Sequence, residues 1–204
     1  MKIFLLLVFL LLSGNTMAKR HGGIYIEPSL GYNEITTEFP PTEFGYETTL
    51  SFTGPELGLT IGLASRFIFG GVYAGYGHEF KIKSEVTNTN DPSYLRKSKS
   101  DDVLNNIYGG VTLGVLLGKY LRLSIFQDLD NTWKTYDKEG NSVGDGVDLK
   151  RYGASIGLRL GKLSYLNFTW GVIDWKDEPE GTDPAYGANI ESFTVSLSFP
   201  FGLN

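Results

Sequence analysis

The chain has 204 residues, a formal net charge of −5, a pI near 5.1 and no cysteine. An acidic balance without a basic patch argues against nucleic acid as a partner, and the lack of cysteine rules out a disulfide framework. Twenty-six glycines and 14% aromatic residues fit an aromatic-belted β protein better than an ordinary soluble domain.

Residues 1–18 have the layout of a secretory signal: Lys2 as the charged start, an apolar run from Ile3 to Leu12, and a small-residue cleavage site at Thr16-Met17-Ala18. The run is too short to span a bilayer as a helix. The mature chain is therefore expected to cover residues 19–204 as one exported domain.

From there the chain alternates apolar and polar residues with period two. Ile24, Ile26, Leu30 and Tyr32 alternate with Tyr25, Glu27, Ser29 and Asn33. A polar connection over residues 39–47 leads to Leu57, Leu59, Ile61 and Leu63, set against Glu56, Gly58, Thr60 and Gly62. A short turn at Ser65-Arg66 precedes a third strand that carries Ile68, Val72, Ala74 and Tyr76 on one side. Residues 84–102 read as a polar loop. Ile107, Val111, Leu113 and Val115 then form a strand that turns at Gly118-Lys119 into Leu121, Leu123, Ile125 and Leu129. Residues 137–148 read as a third loop. Tyr152, Ala154, Ile156 and Leu158 turn at Gly161-Lys162 into Leu166, Phe168, Trp170 and Val172. A fourth loop, residues 175–189, precedes Phe193, Val195, Leu197, Phe199 and Phe201.

Gly110, Gly114 and Gly118 have the small-xxx-small spacing of packed transmembrane helices, but Lys119 and Arg122 would fall in the middle of such a helix, where charge is costly. On a strand the same spacing lines one face with small residues, as a narrow barrel interior requires. The eight strands have alternately long and short connections. Their apolar rows carry no Asp, Glu, Lys or Arg along the central part of any strand, whereas the other rows are mainly Gly, Ser, Thr, Asn and Tyr. A soluble barrel would load its mixed face with charge, so the apolar face is expected to meet lipid. The fold class is all-β: an eight-stranded antiparallel up-and-down transmembrane β-barrel.

In this layout the chain resembles the small outer-membrane barrels of the OmpA transmembrane domain and the OmpX, Ail and opacity-protein group. The resemblance implies a bacterial outer-membrane location and a last strand ending in an aromatic residue. Here Phe199-Pro200-Phe201 is followed by Gly202-Leu203-Asn204, so that signal is displaced.

With the amino terminus on the periplasmic side, Glu27, Arg122 and Arg159 are expected near the lower end of the interior. Glu56, Glu79, Lys81, Asp128, Asp130 and Arg151 are expected towards the upper end. Eight strands enclose room for side chains only, and buried charges must be paired, so these residues read as a permanent plug. The alternative is a gated path for ions or small solutes, opened when a salt bridge changes partner.

A lipid-modifying outer-membrane enzyme is a second alternative, but it needs a histidine beside a serine. His21 falls at the mature terminus, and His78 lies on the lipid-facing parity, opposite in direction to Glu79. No catalytic residue, metal or cofactor is expected.

In the loops, Arg96, Lys97 and Lys99 could meet lipopolysaccharide phosphates or simply be solvated. Asp177 and Glu178 offer a second contact surface. The acids of the third loop fail the EF-hand pattern, because Ser142 stands where glycine is required. The function expected is anchorage of surface loops by a monomeric barrel in outer-membrane lipid and lipopolysaccharide. Its role would be structural, adhesive or in contact with host macromolecules. Gln127 on the lipid face has no place in this scheme.

Overall fold

The period-two pattern becomes strands almost without interruption. A computed structural model describes residues 23–161, 164–175 and 188–203, and the strands are β1 (Gly23–Phe39), β2 (Tyr46–Ala64), β3 (Ile68–Glu79), β4 (Lys81–Asn88), β5 (Asp91–Ser100), β6 (Val103–Leu117), β7 (Leu121–Tyr136), β8 (Ser142–Arg159), β9 (Tyr165–Trp175), β10 (Asn189–Ser198) and β11 (Phe201–Leu203). β1 pairs with β2 on one side and with β10 on the other, and this closes the sheet. The wall is β1, β2, β3, β6, β7, β8, β9 and β10, an antiparallel eight-stranded barrel. β11 continues the last stave against β1, beyond Phe199 and Pro200. The segment from Ile107 to Phe126 is the β6–β7 hairpin, with Gly118 at φ 68° in its turn, a left-handed conformation that suits glycine.

The face assignment follows from exposure. Leu113, Ile156 and Val195, at 57%, 47% and 36%, lie on the outer surface, and the polar parity points inward. The narrow interior explains the small residues there. A methyl group on Gly75 would collide with the Tyr108 ring, and one on Gly157 would lie 2.5 Å from Arg122. Large inward side chains such as Tyr108, Phe69 and Arg122 thus lie against glycines of neighbouring strands.

This arrangement inverts part of the way up the barrel. Along β1 the outward row changes from Leu30 and Tyr32 to Glu34 and Thr36, while the inward row changes from Asn33, fully buried, to Ile35, also fully buried. β10 makes the same exchange between outward Phe193 and Glu191, and between inward Ser192 and Ile190. Ile35, Leu104, Leu149, Ile173 and Ile190 form an apolar core inside the upper barrel, with Phe52, Trp133 and Ala188 packed against it. The lower part of the wall is thus polar inside and oily outside, and the upper part has the polarity of a water-soluble barrel.

Two of the expected loops are strand. Residues 84–102 form most of the β4–β5 hairpin, which pairs with the upper half of β2 as a three-stranded wing above the barrel. The third loop shrinks to a turn over residues 137–141, because β8 already begins at Ser142. Above the oily zone a strand can be polar on its outward side, so polarity there does not signal a loop. The signal segment and most of the fourth loop lie outside the described residues.

Candidate functional site

Interior side chains meet across the barrel at three levels. At the lower end Arg122 (β7) donates to both carboxylate oxygens of Glu27 (β1), at 2.8 and 2.5 Å. Its guanidinium also donates to Asn167 Oδ1 at 2.7 Å and to Ser198 Oγ at 2.9 Å. It lies over the Tyr165 ring at 4.4 Å. A bidentate pair with this many supporting contacts has its donors and acceptors matched, which a buried charge needs.

Higher up, Arg151 (β8) donates through Nε to Asp128 Oδ2 at 3.0 Å. Asp128 also accepts from Asn131 Nδ2 at 2.8 Å and from the Tyr73 hydroxyl. The Arg151 guanidinium lies 4.2 Å from the centre of the Tyr108 ring. Beside it, Asn33 donates to Glu79 Oε1 at 3.2 Å, and the Thr194 hydroxyl donates to Asn33 Oδ1 at 2.9 Å and reaches Glu56 at 3.4 Å. Glu79 Oε2 and both side-chain polar atoms of Asn106 make no hydrogen bond among the described residues, an energetically costly arrangement in a buried layer. The apolar core lies above this layer. Between the two ion pairs is a cavity of about 140 Å³ whose lining includes Glu56, Tyr73, Tyr108 and Thr194.

The residues singled out from sequence are therefore divided. Glu27 meets Arg122, and Asp128 meets Arg151, while Glu56 and Glu79 lie in the upper polar layer. Two interior expectations are corrected. Asp130 is exposed, because a bulge opposite Gly109 and Gly110 in β6 breaks the alternation of β7 just there. Arg159 belongs to the lower rim, where it donates to the Gly161 carbonyl at 2.7 Å and reaches that of Lys119 at 3.4 Å. Lys81 pairs with Thr53 through the backbone, and its side chain lies outside the described residues, as do Asp177, Glu178 and His21. Sequence reading overlooked Asn33, Tyr73 and Asn167 as members of these networks. Their inward parity was the available signal.

Outside, Tyr76, His78 and Phe80 form a ladder on the outward face at the level of the inversion. Tyr76 stacks on His78, and Asn105 Oδ1 lies 2.8 Å from His78 Nδ1. Gln127 is exposed on the outer wall opposite Val111 and Tyr152. On the wing, Arg96 separates from its neighbours: it lies opposite Val86, whereas Lys97 is opposite Glu85 and Lys99 opposite Lys83. Lys97 pairs with Glu85 at 2.8 Å. In the turns, Asn141 holds the Asp137 carboxyl below the usual carboxylate range through its side chain and backbone N–H, and Ser93 does the same for Asp91.

No protein-family model and no curated protein matches the chain. Solved structures do. Ail, the attachment invasion locus protein of Yersinia pestis, in complex with the heparin analogue sucrose octasulfate, aligns with a TM-score of 0.51 at 13% identity, over 89% of this chain and 99% of that one. OprG from Pseudomonas aeruginosa aligns with a TM-score of 0.51 at 11% identity, over 90% and 98%. The fold is that of the small eight-stranded outer-membrane barrels. The oily girdle has the composition of a lipid-facing surface, and the short connections at residues 65–67 and 118–120 form the rim opposite the wing. Phe67 and Tyr120 stand exposed in those turns, where aromatic rings suit a membrane interface.

Proposed function

We propose that this protein is a closed barrel that holds a rigid β wing and its neighbouring loops at the bacterial surface, for adhesion or other contact with host macromolecules. The observation that supports this reading is that side chains bridge the interior at three successive levels, Arg122 with Glu27, Arg151 with Asp128, and the apolar core. A closed lumen leaves the surface-exposed strands as the part able to do work. Ail, whose fold this chain shares, is described as an attachment protein and was crystallised with a heparin analogue, which supports attachment as the kind of role.

The second reading is a narrow pore, favoured by the 140 Å³ cavity between the two ion pairs. Refolded protein in planar bilayers separates the two. The closed reading expects no conductance above that of the lipid. Steady conductance that disappears on neutralising Glu56, Glu79 or Arg151 would establish the pore instead.

A further inference from the structure

The outward face of the wing has an arrangement that folding alone does not favour. β2, β4 and β5 set Ser51, Lys83 and Lys99 side by side in one cross-strand row, and Thr49, Glu85 and Lys97 in the next. Lys83 and Lys99 are directly opposed like charges, a pairing that costs a sheet stability. The one carboxylate within these two rows, Glu85, is already engaged by Lys97 at 2.8 Å. Lys83 and Lys99 are exposed and make no ion pair among the described residues. These six residues, with Ser84 and Ser98, line a groove of about 680 Å³, in which Ser51 shares a row with Lys83 and Lys99 and Thr49 stands in the adjoining row. Two cations and two hydroxyls around one hollow fit a phosphate group, since each can donate to its oxygens.

The direction of this face identifies the source of the phosphate. The β1–β2 register runs without a bulge from Gly23↔Ala64 to Phe39↔Thr48, so Ser51 stands in the same outward row as Leu57, Leu59 and Ile61. The groove therefore faces sideways, over the surrounding leaflet and away from the barrel axis. Lys83 follows Phe80, the top of the Tyr76–His78–Phe80 ladder, by three residues, about 10 Å along a strand. That height belongs to lipid headgroups.

We propose that Lys83 and Lys99, with Ser51 and Thr49, bind a phosphorylated saccharide headgroup of the leaflet around the barrel. The site requires a membrane-spanning barrel but is independent of whether the lumen is closed, so the conductance experiment and this one can fail separately.

The test uses the full mature chain in phosphatidylcholine nanodiscs, with or without bisphosphorylated lipid A, and native mass spectrometry to count retained lipid A. One lipid A is expected to stay on the wild type. Juxtamembrane lysines near an anionic surface contribute about fivefold each, so Lys83→Gln with Lys99→Gln should weaken retention about thirtyfold. Lys138→Gln, on a different turn, should leave it unchanged. In lipid A-free detergent the double variant should melt higher than wild type, because the repulsion is gone. That gain confirms folding and separates a binding site from a structural pair. Equal retention in wild type and double variant would overturn the proposal, as would equal loss in Lys138→Gln. Glucosamine 1-phosphate in solution serves as the free-phosphate arm. If it binds the protein in lipid A-free nanodiscs as tightly as embedded lipid A does, the leaflet is not the source.

Discussion

The lower ion pair shows how a single residue can hold a barrel together. Arg122 and Glu27 come from strands on opposite sides of the chain, 95 residues apart, and their side chains retain 13% and 7% of their exposure. Removing one partner leaves the other charged in a confined interior. Arg122→Met is expected to lower the unfolding free energy of refolded protein by about 3–5 kcal/mol, as broken buried pairs do. Adding Glu27→Gln should recover most of that loss. Urea unfolding followed by tryptophan fluorescence gives both numbers, and a double variant no better than the single one would show that the pair is not the source. This pairing was only half legible in the sequence. Parity told that Glu27 and Arg122 face inward, but which inward residues meet depends on the stagger between strands, which alternation does not encode. Asp130 shows the opposite failure: a bulge shifts parity by one residue, and no residue type announces it.

At the scale of the element, β2 is the clearest case, because the outward row of one unbroken strand passes from oily to polar. Leu57 and Ser51 share its outward row, six positions apart in one unbroken register. An arginine at Leu57 should cost about 2–4 kcal/mol if that position lies near the bilayer midplane, whereas the same change at Ser51 should cost about 0–1 kcal/mol. Equal penalties in lipid vesicles would mean that the girdle is drawn at the wrong height. The same crossing explains why the wing read as a loop from sequence. Ile82, Ser84 and Val86 do alternate with Lys83, Glu85 and Thr87, but an alternation with charge on its outward side looks unlike the oily rows elsewhere. The membrane staves were legible because lipid imposes a composition on them, and water imposes much less.

For the molecule as a whole, the wall is closed by pairings that do not involve the wing. β3 meets β6 from Ile68↔Val115 to Glu79↔Leu104, below the point where β4 and β5 begin. Replacing residues 82–100 with a short turn should therefore leave a barrel that still folds in detergent and migrates on gels as a compact, heat-modifiable species. It should also lose retention of lipid A. Failure to fold would make the wing part of the scaffold and not its cargo. The outline of a closed eight-stranded wall was visible in the spacing of turns, whereas the apolar core at its outer end was not. Ile35, Leu149 and Ile173 have the parity of the polar rows, and only their height distinguishes them.

The reversal at Asn33 and Ile35 gives the protein a waterline. Sinking by one cross-strand row would draw Glu34 and Glu191 into acyl chains, and rising by one would bare leucines to water, so the immersion depth is set from both directions. A thinner or thicker bilayer must then deform around the barrel, because the barrel has no neutral position to slide to.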